Sequence, residues 1–405
     1  MRHYLTYQHN LQQFFRRHAD KYDGVIVPLS IATSFPSGTN GFIRALCTRH
    51  SDIQYAVDPR NAMFQKNWNR DNVRDPHKKM AAVMGLPYVE TAIERPLVVD
   101  DFDDASISKS VKRCIDFQKT FRTIEKTEKK LRKYKKLLGL DQLDELKVPQ
   151  HLIPPYFQFS EVGDRWFELS MKFVQEALRH REQIPIRPVF HFDKWPNVNS
   201  WDSCFDSLVS SGISELWFYP NYFREHDADI SQLKNYRQTV QKAVSKGCSP
   251  YSLFGGYWAI LMSHDGLAGF ANGVGYGEWR DSNYHRGGSA QTRVYILKLH
   301  RYVDSSAAQA LIDKDPEYFG AGSTIMADYI DAERSVDDMS LAHALDHFLE
   351  CRHAEIQFVT KNSSATAVAE LEETVSRLKS IGPLESEKYG ESLERWWNSL
   401  GTTTN

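Results

Sequence analysis

The chain has 405 residues, of which 41% are hydrophobic, 25% charged and 12% aromatic. This composition excludes a fibrous, low-complexity or disordered protein, and the length allows one large domain with additions or two domains. The formal net charge of −2 gives no overall attraction to nucleic acid or membrane, so any such attraction must come from a local patch.

The cysteines and apolar segments indicate the cellular compartment. No CxxC pair occurs, and the five widely spaced cysteines are Cys47, Cys114, Cys204, Cys248 and Cys351. This pattern favours a reducing compartment and mostly buried thiols. The N-terminus lacks the apolar core of a signal peptide, and no stretch approaches the ~18 apolar residues of a membrane span. We expect a cytoplasmic protein with no membrane partner.

Short β-rich runs alternate with helix-compatible segments along most of the chain. The eight runs are VIVPLS (25–30), QYAVDP (54–59), PYFQFS (155–160), RPVFHFD (187–193), LWFYP (216–220), YSLFGG (251–256), GFANG (269–273) and VYILKL (294–299). Runs such as LWFYP do not alternate polar with apolar residues, which is typical of strands buried on both faces of a parallel sheet. Eight βαβ-type units predict an α/β fold, a TIM-like (β/α)8 barrel over residues 1–300. An open doubly wound sheet is the alternative.

One connection is too long for a simple crossover. Residues 60–154 separate two predicted strands, and about residues 100–150 of them read as a helical insertion with apolar residues near helical spacing. From Lys112 to Lys136 there are 11 Lys or Arg against 3 Asp or Glu. This run is either the solvated face of a long amphipathic helix or a basic arm for tRNA, DNA or an acidic protein partner. The nucleic-acid-binding candidates are Lys129, Lys130, Lys133 and Lys136.

The pattern becomes helical after VYILKL and stays so to the end. We expect residues 301–405 to form a C-terminal helical region packed on the barrel, or else to present a surface for a protein partner. Trp396 and Trp397 read as a docking anchor for this tail rather than as a ligand site.

Polar residues stand where the predicted strands end, and in a barrel these ends form one face that carries the active site. Asp58 and Asp193 are the catalytic candidates, because a carboxylate there can act as general base, nucleophile or hydrogen-bond acceptor. The alternatives are that Asp58 only forms the turn of DPR, and that Asp193 caps a helix or pairs with Lys194. The other residues at these ends are Ser30, Arg60, Gln158, Ser160, His191, Asn221, Gly255, Gly256, Asn272 and His300.

The stretch LAGFANGVGYGEWRDSNYHRGG (267–288) reads as the loop after the seventh barrel strand. Glycines there would let backbone N–H groups approach a flat ligand closely. The binding candidates in this loop are Gly275, Tyr276, Gly277, Glu278, His285 and Arg286. The alternative is a tight surface loop without a ligand.

No motif predicts a metal or cofactor, since the chain lacks a P-loop, a nucleophile elbow and a dinucleotide fingerprint. His347, Cys351 and His353 share one predicted helix, but only the first two share a face. They favour a packing surface over a zinc site.

Several segments resemble the tRNA-guanine transglycosylase family. SLFGG (252–256) and GFANGVGYGE (269–278) are similar to that family's LFGIVQGG and glycine-loop motifs. VIVPLSIAT (25–33) resembles its first strand, YAVDPRNAMFQ (55–65) its TDSGGFQ segment, and HFLECRHAEI (347–356) its closing helix. The resemblance implies a (β/α)8 fold and a site for a purine-like base, with Asp58 as a base-contacting or general-base residue, Asp193 as a second base-binding aspartate and Gly275 in the base-binding loop.

Two family features are missing. The cysteine cluster that holds zinc has no counterpart in EYFGAGSTIM (317–326), and YFGAG lacks the family's nucleophilic aspartate. The sequence therefore indicates a diverged relative that acts on a nucleobase in nucleic acid by base exchange or glycosidic chemistry. A non-catalytic subunit that binds nucleic acid or protein is one alternative. A barrel enzyme for a small phosphorylated metabolite, with Arg280 or Arg286 binding the phosphate, is another.

Overall fold

Eight parallel strands curl into one sheet in the computed structural model, which describes residues 1–66, 75–89, 94–123, 128–142, 145–275, 277–280 and 293–401. The spatial order is β3-β2-β1-β8-β7-β6-β5-β4, with every neighbouring pair parallel. The strands are β1 (Arg2–Thr6), β2 (Gly24–Pro28), β3 (Gln54–Asp58), β4 (Gln158–Phe159), β5 (Val189–Phe192), β6 (Glu215–Pro220), β7 (Ser249–Leu253) and β8 (Gly269–Gly273).

Side chains join the two edge strands, β3 and β4. The Gln65 amide accepts a hydrogen bond from the Gln158 backbone N–H at 2.6 Å and donates one to the Gln158 carbonyl at 2.9 Å. Asn61 accepts from the Tyr156 N–H at 2.8 Å. These bonds satisfy backbone groups that would otherwise be unpaired at a sheet edge. The predicted TIM-like fold is confirmed.

The assignment of individual strands needs two corrections. The first barrel strand is β1, which the sequence analysis missed, so GFANG is the eighth strand and not the seventh. VYILKL is not a barrel strand, because Arg293–Ile296 (β9) pairs antiparallel with Arg301–Asp304 (β10) in a separate ribbon. An apolar run alone cannot distinguish a barrel strand from a strand of the β9–β10 ribbon, since the strand is buried in both.

Helices follow the barrel strands and form the outer layer. They are α1 (Gln12–Arg17), α2 (Leu29–Ser34), α3 (Pro36–Arg49), α4 (Asp75–Met84), α5 (Asp104–Thr120), α6 (Glu128–Leu138), α7 (Arg165–His180), α8 (Asp202–Ser210), α9 (Ile230–Ser245) and α10 (Tyr257–Leu261). Several helices begin and end at the capping residues that the sequence offers. Asp229, for example, caps α9 by accepting from the Gln232 N–H, and Gly247 follows the helix with a φ of +86°.

The residues of each strand divide between two apolar layers. Inward-facing side chains such as Tyr4, Trp217 and Tyr251 fill the barrel with aromatic rings, and outward-facing ones pack under the helices. Because successive side chains alternate, residues 56, 189 and 253 mark the inward series of their strands. The last inward residue of each strand therefore points into the mouth of the barrel.

The long connection between β3 and β4 contains α4, α5 and α6, of which α5 and α6 fall in the predicted insertion. The basic run is not one long helix, because α5 ends at Thr120 and α6 begins at Glu128. Tyr134 anchors α6 to α3, with its hydroxyl donating to the Gly38 carbonyl at 2.8 Å. Lys133 and Lys136 of the same helix are exposed.

The C-terminal helices are α11 (Ser305–Lys314), α12 (Pro316–Phe319), α13 (Thr324–Asp331), α14 (Leu341–Lys361), α15 (Ser364–Ile381), α16 (Pro383–Glu385) and α17 (Glu391–Leu400). The Trp396 ring of α17 is fully buried and donates its N–H to the Glu225 carbonyl at 3.0 Å. This contact docks the tail on the loop after β6, as the sequence predicted for the tryptophan pair.

All five cysteines are buried and free, which confirms their interpretation as buried thiols. Within the described ranges, no helix has both the length and the apolar character needed to cross a bilayer.

Candidate functional site

The strand ends place four predicted residues beside one another at the mouth. Gln158 lies on β4, His191 lies on β5, and Asn221 directly follows β6. All three side chains are buried. Asp193, directly after β5, is exposed and accepts hydrogen bonds on Oδ1 from both amides, from Asn221 at 3.1 Å and from Gln158. The Asp193 carboxylate supplies hydrogen-bond acceptors, and the two amides beside it supply both donors and acceptors, so a ligand at the mouth would meet both kinds of group.

Asp58 forms a second cluster on the adjoining side of the mouth. Its carboxylate is fully buried and pairs with Arg60, whose Nε lies 2.8 Å from Oδ2. The Tyr156 hydroxyl donates to Oδ1 at 2.9 Å. Burial of a charge is expensive unless it is paired and hydrogen-bonded, so these contacts are what keep Asp58 inside the barrel. The DPR turn is present, yet the carboxylate faces the barrel axis and not solvent.

His191 lies between the two clusters in an apolar, aromatic setting. Its ring stacks on Tyr219 at 4.0 Å between centroids and meets the edge of Tyr156 at 6.1 Å. Burial lowers the pKa of His191 to about 3, so the ring is neutral at physiological pH. Neither ring nitrogen makes a hydrogen bond of good geometry with the described residues, although the Asn221 side chain is near enough to raise the pKa of the ring against the effect of burial. A buried polar group left in this state calls for an explanation, and a ligand supplies one.

Positive charge surrounds the mouth. The guanidinium carbons of Arg60 and Arg280 lie 5.6 and 5.7 Å from the centre of the Phe254 ring. Repulsion by Arg60 lowers the pKa of Arg280. Lys66 is near enough to contribute to the lowered pKa of His191. An anionic group between the two arginines would relieve their repulsion.

Three residues after barrel strands adopt the left-handed backbone region without being glycine. They are Arg60 after β3, Tyr222 after β6 and Phe254 after β7, with φ of +49°, +54° and +67°. Such conformations cost of order 1–3 kcal/mol each and persist where the surroundings impose them, often at functional sites. All three belong to the mouth, where the Tyr222 N–H also bonds the Arg280 carbonyl at 2.8 Å.

The glycine loop is explained largely by its own packing. Gly273 and Gly277 pair through a 2.7 Å N–H to carbonyl bond, and a Cβ on Gly277 would lie 2.4 Å from the Cα of Gly273. Gly275 has a φ of +68° and lies against Leu345 of α14. The alternative of a tight loop therefore accounts for the described glycines. Tyr276, His285 and Arg286 lie outside the described residues.

Gly255 and Gly256 are also places of close approach. A Cβ on Gly255 would meet Ala259 at 2.5 Å, and one on Gly256 would meet Glu225 at 2.7 Å. The Glu225 carboxylate accepts the N–H of Gly256 at 2.8 Å and two further N–H groups at the start of α10. Gly256 thus lets an acidic side chain cap this helix, and Gly255 lets the chain pass close to Ala259.

Asn272 and Glu278 face away from the clusters at the mouth. Asn272 points to the outer layer and bonds His3 at 2.6 Å. Glu278 pairs with buried Arg352 of α14, which also pairs with Glu355 at 2.8 Å. Burial raises the pKa of Glu278 to about 8. These two candidates connect the barrel to its outer layers.

The described part of α6 stands at the rim. Lys133 contributes, after burial, to a lowered pKa of His9, which follows β1. The neighbouring Gln8 side chain donates to the Val274 carbonyl of the glycine loop at 3.1 Å. The side chains of Lys129 and Lys130 fall outside the described part of the chain.

The helix with His347 and Cys351 serves packing. His347 bonds the Tyr295 carbonyl at 2.6 Å and the Ser323 hydroxyl at 2.5 Å, and Cys351 lies 3.6 Å from its ring. No group of three or more metal-ligating side chains occurs in the part of the structure that is described.

Sequence reasoning missed the aromatic walls of the site. Tyr156, Tyr219 and Phe254 were parts of predicted strands, and their inward position follows from the same alternation that brings Asp58 and His191 inside. The alternation of side chains along each strand could therefore have predicted these three aromatic residues. Arg280 arrives from a loop and has no such signal.

Comparison with known proteins adds no assignment to this geometry. The chain matches no protein-family model, and no curated protein is similar to it.

Proposed function

We propose that the protein binds a purine-like base of a nucleic acid at the mouth of the barrel and carries out base exchange or glycosidic chemistry there. The observation that carries the proposal is the convergence of two carboxylates, Asp58 and Asp193, with the Gln158 and Asn221 amides around an unsatisfied buried histidine. The resemblance of the sequence to the transglycosylase family agrees with it.

The Asp193 cluster has the groups that read the edge of a purine. Carboxylates accept from ring N–H and exocyclic amino groups, and side-chain amides pair with adjacent donors and acceptors. His191 stacked on Tyr219 supplies a flat wall and a nitrogen that a base can satisfy. The two amides that hold Asp193 in the free protein would share their hydrogen bonds with the ligand.

Asp58 is the residue that we expect to take part in the reaction itself. Arg60 and Tyr156 fix the orientation of its carboxylate, and preorganised groups lower the cost of reaching a transition state. We assign Asp58 as the general base or nucleophile of the reaction at the glycosidic bond. Arg280 and Arg60 would bind the phosphate that adjoins the target nucleotide.

Asparagine substitutions test this assignment, because they keep the shape of each side chain and remove its charge. Asp58→Asn should lower guanine exchange into tRNA, single-stranded DNA or duplex DNA by ~10²–10⁴-fold, the usual contribution of an acid–base group. Asp193→Asn should weaken binding of free guanine in a calorimetric titration. Asp206→Asn, an exposed aspartate paired with Lys246, is the control. Unchanged exchange and unchanged guanine binding in both variants would refute the proposal.

The same experiment distinguishes an enzyme from a non-catalytic binding subunit. A binding subunit would lose guanine affinity in Asp193→Asn, and its wild-type form would show no exchange into any of the three nucleic acids.

The arginine pair favours a second candidate, an enzyme for a small phosphorylated metabolite. Two guanidinium groups on one aromatic ring form a suitable phosphate site in a barrel mouth. Arg280→Ala should then abolish millimolar binding of a sugar phosphate, with Arg179→Ala as the control, since Arg179 is an exposed residue near the C-terminal end of α7 that pairs with Glu176. Tight binding of guanine without measurable binding of phosphate esters would exclude this candidate.

A further inference from the structure

Two aromatic rings stand exposed on the surface of the protein. Among the large hydrophobic side chains that are exposed in the described ranges, Phe35 and Tyr222 are the aromatic ones, each with 51% of its surface accessible. Exposed aromatic rings are costly in water and are common where a protein stacks against a partner. Both rings belong to the same face of the barrel.

The strand order places the two rings across the mouth from each other. Phe35 follows β2 and α2, and Tyr222 follows β6 by two residues. In a closed ring of eight strands, β2 and β6 are four positions apart in either direction. The axial groups Asp58, His191 and Asp193 lie between them.

Each ring is supported by a second ring and accompanied by a cation. His9 stacks on Phe35 with centroids 4.5 Å apart and planes 9° apart, and Lys133 is the neighbouring charge. On the other side, Trp279 meets the Tyr222 ring at 5.2 Å.

Arg224 completes the second platform. Its guanidinium lies 4.0 Å from the Trp279 ring and 4.8 Å from the Tyr222 ring. Tyr222 itself has a left-handed backbone with a φ of +54°, a conformation that costs about 1–3 kcal/mol.

We propose that single-stranded nucleic acid crosses the mouth from Phe35 to Tyr222, with bases on the two sides of the target stacked on these rings. This inference rests on the proposed function, since the target nucleotide between them would enter the axial cluster. Aromatic platforms stack any base through its π-face, and the accompanying cations meet the backbone phosphates. A paired duplex has its base faces covered, so it would have to open to use both platforms.

Oligonucleotides that carry 2-aminopurine on each side of a central guanine test the inference, because stacking quenches this fluorophore. Wild-type protein should bind the single-stranded DNA or RNA form more tightly than the duplex and quench the fluorescence. Phe35→Ala and Tyr222→Ala should each weaken single-strand binding by about 10-fold. Each should remove the quenching at one of the two positions.

Matched variants separate stacking from general damage. Phe35→Tyr and Tyr222→Phe keep a ring and should retain both affinity and quenching, and Leu384→Ala removes an exposed apolar side chain on α16. Both rings are at the surface, so melting temperatures should stay near the wild-type value. The DNA and RNA arms identify which polymer the platforms accept.

Failure of this inference differs from failure of the proposed function. Equal single-strand affinity and quenching in wild type and both alanine variants would overturn the stacking platforms, while guanine binding that depends on Asp193 would keep the base site. Guanine binding without binding of any oligonucleotide would overturn the platforms and the nucleic-acid substrate together. Ring-dependent oligonucleotide binding without guanine binding would support the platforms and remove the free-base site.

Discussion

His191 is the residue at which stability and function are most clearly opposed. It is fully buried, stacked on Tyr219, and without a hydrogen bond of good geometry for either nitrogen among the described residues. An unsatisfied buried polar group typically costs ~1–3 kcal/mol, and an apolar group of the same shape avoids that cost. A side chain selected for stability alone would not be an imidazole here.

Replacing His191 by phenylalanine should change the pH dependence of unfolding. The folded pKa of about 3 lies below the ordinary ~6.5, so the unfolded chain takes up a proton as pH falls and the folded protein does not. The wild type therefore keeps this stability above pH ~6.5 and loses it as pH falls toward 3, by ~2 kcal/mol at pH 5. His191→Phe should remove this loss.

Urea unfolding at pH 5 and pH 8 measures the difference between wild type and His191→Phe. The variant should be ~1–3 kcal/mol more stable than wild type at pH 8, because it removes an unsatisfied buried polar group. It should be more stable still at pH 5, and defective in guanine binding. Identical pH profiles for the two proteins would mean that His191 is protonated normally in the folded state.

Gly277 lies so close to Gly273 that its position has no room for a side chain. Gly277→Ala should destabilise the protein by ~1–3 kcal/mol, since the added Cβ would lie 2.4 Å from the Cα of Gly273 and the backbone would have to shift. Gly390→Ala is the matched control, because its Cβ would meet neighbours only at 3.6 Å or more. Denaturant unfolding of both variants distinguishes close backbone packing from simple flexibility, which predicts no difference.

At the level of elements, the contact between β3 and β4 decides whether the site is assembled. β4 has two residues, and Gln65 bonds both backbone groups of Gln158. Gln158 in turn donates to Asp193. Gln65 thus helps to close the barrel, together with Asn61 and Asp58, and it positions a proposed base-reading amide.

Gln65→Ala should lower stability by ~2 kcal/mol, because it leaves a buried N–H and carbonyl without partners. It should also weaken guanine binding, since Gln158 would lose its anchor. Gln175→Ala removes a glutamine with one exposed hydrogen bond, to Ser211, and should change neither quantity. Unfolding curves and guanine titrations of the two variants provide the measurement. Wild-type stability in Gln65→Ala would show that β3 and β4 hold together without it.

The elements also show which features the sequence can predict. The positions of Asp58, His191 and Asp193 at the strand ends could be predicted because strand ends and side-chain alternation are local properties. β1 was missed since RHYLT is short and begins with polar residues, while VYILKL has the same apolar pattern inside or outside a barrel. Sequence alone left a ligand loop and a tight loop as alternatives for the glycines, because it cannot show that Gly273 packs on Gly277.

On the scale of the whole molecule, the C-terminal tail supports the mouth from outside. Arg395 of α17 donates to the carbonyls of His226 and Ala228 at 2.6 and 3.0 Å, and Trp396 packs on His226. The loop held in this way carries Tyr222 and Arg224. The proposed platform after β6 therefore depends on a helix more than 150 residues further along the chain.

Trp396→Ala should destabilise the protein by ~3–5 kcal/mol, as removal of a fully buried tryptophan usually does. Hydrogen exchange over residues 221–228 should accelerate more than exchange in α7, since α17 would no longer hold this loop. Quenching of 2-aminopurine on the Tyr222 side should weaken, and quenching on the Phe35 side should persist. Trp397→Ala, at a partly buried neighbour, should have the smaller effect on all three. Equal losses on both sides of the mouth would instead mean that the tail stabilises the barrel as a whole and has no specific hold on the loop after β6.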